Sequence, residues 1–550
     1  MFPRKASISI SASACSSLRN TSPLPMAVAF LATCLVILVL SSVVWLRGRR
    51  RPLNLPPGPR GWPVFGSLGL LAGELPPHRA LAKLAARHGP LMHLRLGSID
   101  TVVASSAETA RLVLRTHDLA FADRPPTAGG AILTYGYKGI LMTPYSPYWR
   151  MARKLCATEL FSPRRVDSFE HMRAQEMRAL ARGLFETAGT AIVVKEHLVS
   201  FTMRNILRMA VGDKWLGIYA SEEGEAFRRT LDEAFAVTSA VSNNIGEWVP
   251  WLGRLDVQGF TRRMKRVHEQ LDRFSEQILD EHETDRRRCA RDGGGEFTAT
   301  TDLVDVLLQL AEGDGFEEEM EARLTRDGAK AFILDIIAGG TETGATTMEW
   351  AMAELLRRPD AIAATTAELG RVVGRGRWVT ERDLPALPYL DAVLKETMRL
   401  HPVAPLLAPR RAREDRVVAG YDIPTGTRVL VNAWAVARDP ASWPDAPEAF
   451  RPERFLAGDA AEDVDVRGAH FQLLPFGAGR RMCPAYNLAM KEMAAALANL
   501  LHGFTWRLPD GVAPEDVSME EFFGLAMSRK VPLVAIAEPR LPEHLYAGVD

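Results

Sequence analysis

The sequence predicts a mostly helical fold with a smaller β portion, in one large domain behind a single N-terminal transmembrane helix. Hydrophobic residues make up 47% and charged residues 24% of the 550 positions, which is the balance of a globular protein with a large core. Apolar residues recur at three-to-four spacing over several long stretches, as in helices that bury one face. A stretch of 21 residues without a charge lies near the N-terminus.

The predicted helices share this apolar spacing. They are residues 79–88, 107–116, 260–285, 329–357 and 387–400. Short strands are predicted at 91–96, 101–104 and 428–432. The Gly- and charge-rich composition of residues 285–302 predicts an exposed loop. No internal repeat and no second dividing linker is seen in 64–550, so this loop is expected to belong to one domain.

The charge-free stretch, residues 26–46, is predicted to be a membrane anchor. As a helix it would span about 31 Å, close to the roughly 30 Å hydrocarbon core of a bilayer. Arg47 and the cluster Arg49–Arg51 follow it, which ends the span and favours the cytosolic side for what comes next. A cleaved signal peptide is the alternative, but large basic residues stand where small cleavage-site residues would be expected.

The segments on either side of this anchor have distinct compositions. Residues 1–25 are Ser-rich, carry three basic residues and lack acids, which is typical of a transit peptide; alternatively, translation starts at Met26. Residues 47–63 are basic and then proline-rich, so a semi-rigid extended linker is predicted there.

Charge and cysteine content exclude several functional classes. Lys plus Arg and Asp plus Glu both total 67, so no overall basic field would draw the chain to nucleic acid. The cysteines are odd in number and form no Cys-x-x-Cys pair, which argues against a disulfide scaffold or a cysteine zinc site. They lie at positions 15, 34, 156, 289 and 483.

The strongest chemical signal is the segment PFGAGRRMCPAYNLAM, residues 475–490. Its glycines let the backbone pass close to a flat ligand, and Cys483 stands just before a predicted helix. The positive helix end and nearby amides would lower the pKa of this thiol and favour the thiolate. A thiolate is the axial ligand that makes haem iron cleave dioxygen, so Cys483 is the predicted metal ligand.

This segment resembles the cysteine loop of the cytochrome P450 family in its plant microsomal form. Phe476, Gly479, Arg481 and Cys483 stand in register with the family pattern, whereas Ala485 replaces the usual glycine. The resemblance implies the cytochrome P450 fold, haem b as cofactor and O₂ as cosubstrate. It also implies a location in the endoplasmic reticulum membrane with a cytosolic catalytic domain, or in a plastid membrane if residues 1–25 act as a transit peptide.

Two further motifs stand in the family's order. Glu396 and Arg399 are three residues apart, and with Arg454 they resemble the family's buried Glu–Arg–Arg cluster, which has a structural role. The segment GGTET matches the family's oxygen-activating helix. The resemblance implies that Gly340 leaves room for dioxygen, that Thr343 hydrogen-bonds the bound oxygen, and that Glu342 relays protons.

The resemblance also implies which residues hold the haem propionates, which need cationic or N–H partners when buried. Trp149 and Arg153 lie four apart on one helix face, and the expected set is completed by Arg481, Arg410 and Lys138.

No dinucleotide fingerprint is present in the sequence, so electrons must come from a partner. The resemblance implies NADPH–cytochrome P450 reductase, steered by basic residues near the cysteine loop, Arg153, Lys154, Arg480 and Lys491.

The leading hypothesis is therefore a membrane-bound haem–thiolate monooxygenase. The alternatives are a haem–thiolate isomerase or dehydratase that rearranges a peroxide without a reductase, against which the acid–threonine pair argues, and a non-enzymatic protein with a decayed haem site.

The C-terminal tail resembles the plant group that contains flavonoid hydroxylases and homoterpene-forming enzymes. A lipophilic substrate is expected, either a terpenoid (hydroxylation, or oxidative C–C cleavage of a terpene alcohol) or a phenolic. The predicted pocket segments are mostly apolar, at 128–146, 243–251, 332–343, 403–407 and 522–527.

Overall fold

The computed structural model describes residues 53–215, 222–239, 244–291, 302–312 and 323–547. The predicted N-terminal extension, the predicted anchor at 26–46 and the first part of the predicted linker lie outside these residues. Within the described part of the chain, no helix combines the length and the apolar character that crossing a membrane requires. One compact unit comprises Leu55–Asp550.

Helices make up most of this unit. In chain order they are α1 (Pro77–His88), α2 (Ala107–Arg111), α3 (Ala128–Leu133), α4 (Pro147–Leu155), α5 (Pro163–Ser168), α6 (Glu170–Glu186), α7 (Val194–Val211), α8 (Glu222–Ser239), α9 (Ile245–Trp248), α10 (Pro250–Gly253), α11 (Phe260–Arg291), α12 (Leu303–Glu312), α13 (Arg326–Leu356), α14 (Pro359–Val372), α15 (Pro388–Leu400), α16 (Ala433–Val436) and α17 (Tyr486–Gly503). Single π-helical turns extend α2 and α4 by five residues each.

The strands are β1 (Leu91–Leu96), β2 (Ile99–Ala104), β3 (Ala191–Val193), β4 (Arg410–Arg411), β5 (Arg416–Val418), β6 (Tyr421–Ile423), β7 (Arg428–Val431), β8 (Phe504–Arg507), β9 (Glu521–Phe523), β10 (Met527–Arg529) and β11 (Val534–Pro539). A four-stranded sheet has the order β1-β2-β7-β4, and a three-stranded sheet has the order β3-β11-β8. Two hairpins, β5–β6 and β9–β10, complete the β portion of the described residues. Every pairing is antiparallel except that of β2 with β7.

Helix α13 forms the centre of the molecule. Thr325 caps its N-terminus by accepting a hydrogen bond from the Gly328 amide, and Asp327 in the first turn favours the same end. Apolar residues cover this helix on nearly all sides, so it is buried along most of its length, as a helix inside a large protein must be. Helices α7, α15 and α17 pack against it.

The mostly helical class with a small β portion is confirmed, and several element boundaries are shifted. The predicted helix 260–285 continues to Arg291, so the prediction that a loop begins at residue 285 was wrong at its N-terminal end. Its amphipathic pattern persists through the arginine run, whose side chains can face solvent without ending a helix. Residues 292–301 of the predicted loop lie outside the described residues.

The second half of the predicted linker packs on the sheet. The His93 amide donates to the Pro57 carbonyl at 3.0 Å, and a side-chain carbon built at Gly58 would lie 1.8 Å from the His93 carbonyl oxygen. Only glycine permits this approach of two backbones. Residues 55–63 therefore belong to the compact unit, and they contain no helix, as the prolines predict.

A charged cluster is buried where α15 meets the short turn Pro452–Phe455. Arg399 donates to both oxygens of Glu396, at 2.7 and 2.8 Å, and Arg454 Nε donates to Glu396 Oε1 at 3.0 Å. Arg399 also donates to the carbonyls of Ala437 and Pro447, at 2.8 and 2.6 Å. The structure thus brings the three predicted cluster residues together, and their hydrogen bonds tie together the chain that precedes the cysteine loop.

Replacing Glu396 by Ala should strongly destabilise this core. It leaves two buried guanidinium groups without their carboxylate, and breaking a buried ion pair on one side costs about 3–5 kcal/mol. Urea unfolding followed by circular dichroism measures the loss. The matched control is Glu538→Ala, which removes an exposed partner of Arg507 and should cost roughly 0–1 kcal/mol. Equal losses in the two variants would contradict the structural role of the cluster.

Candidate active site

The cysteine loop is held against the turn that follows α2. Gly479 has φ +70°, and a side-chain carbon built on it would lie 2.1 Å from the Leu114 carbonyl oxygen. The next residue, Arg480, donates both its amide and its Nη1 to Asp118 Oδ2, at 2.9 and 3.0 Å. Glycine at position 479 is required for both its backbone angle and its close contact.

Cys483 lies at the end of this loop. Its amide donates to the Phe476 carbonyl at 3.0 Å, so the predicted Phe476 position closes the loop through its backbone. Burial raises the pKa of the Cys483 thiol, while the Ala485 amide and the charge of Arg153 act in the opposite direction. The expectation of a lowered thiol pKa was therefore wrong for the protein alone, because burial outweighs the amide and the cation. A bound metal ion would deprotonate the thiol outright.

Ala485, which replaces the family's usual glycine, fits the loop without strain. It is the residue that precedes α17, and its φ of −97° is one that any L-residue adopts. Its methyl group packs against an apolar cluster of the core. The substitution therefore leaves the backbone path of the loop intact.

Two predicted cofactor residues carry buried donors without partners. The guanidinium of Arg481 lies 4.2 Å from the Trp149 ring and donates to the carbonyls of Ala122 and Thr143, at 2.8 and 2.7 Å. Its Nη1 and the indole Nε1 of Trp149 are buried, and neither contacts an acceptor among the described residues. Burial, together with the charge of Arg410, lowers the pKa of Arg481 to about 9. An anion at this position would satisfy both donors.

Arg153, one turn after Trp149 on α4, is aimed at the cysteine loop. Its Nη1 donates to the Met482 carbonyl at 2.7 Å, and burial lowers the pKa of its guanidinium. This contact fixes the residue next to Cys483. The helix places Trp149 and Arg153 on one face, as their spacing predicts.

Arg410 and Lys138 are already paired. Arg410 Nη1 donates to Asp118 Oδ1 at 2.8 Å and its Nη2 donates to the Ala478 carbonyl at 2.9 Å. Lys138 Nζ instead donates to Asp327 at 2.8 Å, at the start of α13. Arg410 thus lies beside the cysteine loop, as predicted, whereas the Lys138 side chain points to Asp327. Lys138 is half-exposed, so this ion pair satisfies its charge without a buried anion.

Sequence reasoning missed Arg124, which is buried in the same cluster. It donates only to backbone carbonyls among the described residues, those of Leu141, Ala408 and Pro409, at 2.7–2.9 Å. Burial and the charges of Arg481 and Arg410 lower its pKa. No motif signals this residue, because its burial depends on segments almost three hundred residues apart.

Two residues of the predicted oxygen-activating segment, Gly339 and Thr343, form an open stripe on α13. Gly339 and Thr343 are exposed within an otherwise buried helix. Outside its own helix backbone and its chain neighbours, no described atom lies within 4 Å of a side-chain carbon built at Gly339, whereas one built at Gly340 would lie 2.6 Å from Ile206 of α7. The predicted open position at Gly340 was thus wrong: the open side is at Gly339, and Gly340 serves helix packing.

The predicted acid, Glu342, is held by a lysine that the sequence reading did not single out. Lys195 Nζ, in the first turn of α7, donates to Glu342 Oε1 at 2.5 Å. Both side chains are about a quarter exposed, so this pair is accessible to water. The Thr343 hydroxyl donates to the Gly339 carbonyl at 2.8 Å and is not bonded to Glu342.

These features fit a haem held between the cysteine loop and α13. The buried thiol would provide the thiolate ligand of such a planar cofactor, and the open stripe on the facing helix would leave room for it. The two unpaired buried donors, which lie among several arginines, would bind its two negative charges. The residues that would hold its carboxylates are Trp149 and Arg481, with Arg124 beside them.

Comparison with known proteins decides the family. The family model described as Cytochrome P450 matches residues 56–534. The chain belongs to the cytochrome P450 family. As a P450, it is a monooxygenase that uses haem iron with a thiolate ligand and O₂.

Two relatives of this P450 from Zea mays are similar over nearly their whole length. Trimethyltridecatetraene synthase is 71% identical over 528 residues, covering 95% of both chains, and dimethylnonatriene synthase is 70% identical over 530 residues, covering 96% of this chain and 99% of its own. Flavonoid 3'-monooxygenase from Petunia hybrida is 40% identical over 506 residues, covering 91% and 95%. These relatives confirm the plant P450 group that the tail sequence indicated.

The fold is shared with solved P450 structures. A zebra fish cytochrome P450 with progesterone has a TM-score of 0.70 and 27% identity, and covers 85% of this chain and all of its own. A second zebra fish structure, with abiraterone, has a TM-score of 0.67 and 28% identity, and covers 84% of this chain. The predicted cytochrome P450 fold is thus confirmed.

Valine substitutions at the two adjacent glycines of α13 should have different effects. Gly340→Val forces a side chain into Ile206 and should destabilise the fold by about 1–3 kcal/mol, the usual cost of overpacking. Gly339→Val projects into the open stripe and should change stability far less while obstructing the haem side of α13.

Thermal unfolding measures the first effect, and the substrate-induced spin-state shift measures the second. Ala in place of Val is the size control at each site, because a methyl group is the smallest side chain that tests the contact. If Gly339→Val proved the less stable of the two Val variants, the assignment of the open side would be contradicted.

Proposed function

We propose that this P450 oxidises an acyclic terpene alcohol and cleaves a C–C bond to release a homoterpene. The observation that carries the proposal is the 70–71% identity, over nearly the full length, to two enzymes named for such products. Identity to the named flavonoid hydroxylases is 39–40%, so a phenolic substrate is the second candidate.

The names of the two related products support a cleavage reaction. Trimethyltridecatetraene has sixteen carbons and dimethylnonatriene has eleven. Terpenoids are built from five-carbon units, so each product is four carbons shorter than a regular chain of twenty or fifteen. A reaction that yields such a product from a terpenoid must break a C–C bond.

Two of the predicted pocket segments, 403–407 and 522–527, meet each other beside Trp350 of α13. The Met527 amide of β10 donates to the Val403 carbonyl at 2.8 Å, and the Trp350 indole donates to the Met527 carbonyl at 3.1 Å. Phe522 and Leu525 in the β9–β10 hairpin are 58% and 46% exposed. Exposed apolar side chains on this hairpin suit a hydrocarbon ligand better than a polyhydroxylated ring system.

Thr343 and Glu342 supply the proton chemistry of this proposal. When bound, the haem activates O₂ with two electrons per turnover. The Thr343 hydroxyl donates to Gly339, which leaves its oxygen lone pairs free to accept a hydrogen bond in the open stripe. Glu342, held by Lys195 and reached by water, is the group that exchanges protons with solvent. Because Glu342 and Thr343 are not bonded to each other, water has to link them.

The proposed electron donor is NADPH–cytochrome P450 reductase. Two of the predicted steering cations, Lys154 and Arg480, are exposed, and Lys491 is partly exposed. Arg480 and Lys491 each have a carboxylate neighbour, Asp118 and Asp167 respectively. Arg153 binds the Met482 carbonyl and is only partly exposed. A docking surface on this side would therefore use Lys154 and Arg480 more than Arg153.

Reconstitution with reductase, NADPH and acyclic C15 and C20 terpene alcohols tests the function. Gas chromatography should detect a homoterpene, and flavonoid substrates should give no product.

Thr343→Ala should keep consuming NADPH while its product per NADPH falls roughly tenfold and hydrogen peroxide rises, since the proton-handling hydroxyl is gone. Thr343→Ser keeps a hydroxyl and is the control.

Three results would count against this proposal. Flavonoid hydroxylation without homoterpene formation would replace the substrate class. Conversion of a peroxide without NADPH would favour the isomerase alternative. An unchanged ratio of product to NADPH in Thr343→Ala would remove Thr343 from the reaction.

The membrane location is also proposed, on the sequence of residues 26–46. Deleting residues 1–46 should move much of the protein to the soluble fraction with its haem retained, because the charge-free span provides the main membrane affinity. Cell fractionation and the haem absorbance measure this. Protease treatment of intact microsomes should digest the catalytic domain if it faces the cytosol; a protected domain would contradict the proposed orientation.

A further inference from the structure

An acidic side chain is buried in the helix that follows the cysteine loop. Glu492 lies in the second turn of α17, which begins three residues after Cys483, and is 6% exposed. Its Oε1 accepts a hydrogen bond at 3.0 Å from Nδ2 of Asn205, which is fully buried in α7. The Asn205 Oδ1 atom is also buried and accepts no hydrogen bond from any residue the structure describes.

This pair joins α17 to α7, a helix that also packs against α13. Next to Asn205, Ile206 packs against Gly340 of α13, and the Thr202 hydroxyl one turn earlier donates to the Thr341 carbonyl at 2.8 Å. Helix α7 therefore touches α13 beside the open stripe that carries Thr343. Through Asn205 it also touches the helix that follows Cys483.

The charged groups that face Glu492 do not neutralise it. Arg173 of α6 donates to both oxygens of Glu381, at 2.6 and 2.9 Å, and is thereby paired. The neighbouring Lys491 points away to Asp167 and lies 3.9 Å from Glu381. Burial raises the pKa of Glu492 to about 8; the Asn205 hydrogen bond and Arg173 oppose this shift, and Glu381 adds to it.

We propose that Glu492 is a positioning residue whose protonated carboxylic acid pairs with the side-chain amide of Asn205 and holds the Cys483-bearing segment against α7. The acid proton is the donor that Asn205 Oδ1 lacks, while Asn205 Nδ2 donates to the acid in return. Such a two-way pair leaves both buried groups satisfied. The proposal concerns the haem–thiolate site and is independent of which substrate the enzyme oxidises.

The pair makes the site sensitive to alkaline pH. The folded protein holds this proton more tightly than the unfolded chain, in which a glutamate ionises near its ordinary pKa. The stabilisation is therefore complete at low pH and is lost as pH rises through the folded pKa, near 8. Ionisation would leave a buried charge facing an already paired arginine, and the contact between α17 and α7 should loosen.

The ferrous–CO spectrum of the full-length holoenzyme, recorded between about pH 6 and about pH 10, tests this inference. The thiolate-type band should be half lost near pH 8 in the wild type and recover on acidification. Glu492→Gln keeps both hydrogen bonds without an ionisable proton, so its band should persist about 1 pH unit higher or more. Thermal unfolding of the same proteins should show the same difference in pH profile.

Two further variants make the result decisive. Glu515→Gln makes the same chemical change at an exposed site and should match the wild type at every pH. Asn205→Leu removes the partner amide and should weaken the thiolate band at neutral pH as well. The same pH midpoint for wild type and Glu492→Gln would overturn the proposal. If Glu492→Gln failed to fold, an unchanged band and pH profile in Asn205→Leu would overturn it.

Discussion

Buried positive charge is the constraint on which the haem side of this structure depends. Arg124, Arg153, Arg410 and Arg481 converge around the cysteine loop, and burial lowers the pKa of each guanidinium. In the described part of the chain, Asp118 is the carboxylate that hydrogen-bonds to a member of this group. Burying several cations with a single carboxylate among them is costly, so a dianionic cofactor would offset part of this positive charge as well as providing the chemistry.

Helix α13 forms the opposite side of the site. One of its faces is closed by α7, where Ile206 fills the place that a side chain at Gly340 would need. The other face opens at Gly339 and Thr343. Two adjacent glycines thus have unrelated tasks, one in packing and one in access, because successive residues on a helix point in directions about 100° apart.

The sequence identified what is encoded locally. The cysteine loop, the Glu396–Arg399 spacing and the acid–threonine pair are short patterns with fixed chemistry, and the fold class follows from apolar periodicity. It could not resolve which of Gly339 and Gly340 faces the haem, since that depends on the rotation of α13 against Ile206. For the same reason it missed Arg124 and Lys195, whose partners come from distant segments. It also placed Lys138 among the propionate partners, whereas the structure pairs Lys138 with Asp327.

The β9–β10 hairpin is attached to the body through residues of its two strands. Glu521 accepts hydrogen bonds from His78 and Arg79 on α1, and Met527 is bonded to Val403 and Trp350. Between these anchors lie Phe522 of β9 and Leu525 of the turn, which are 58% and 46% exposed. Directed evolution of product range could therefore concentrate its library on these two positions, where new side chains change the exposed apolar surface of the hairpin while the anchoring residues keep the hairpin in register.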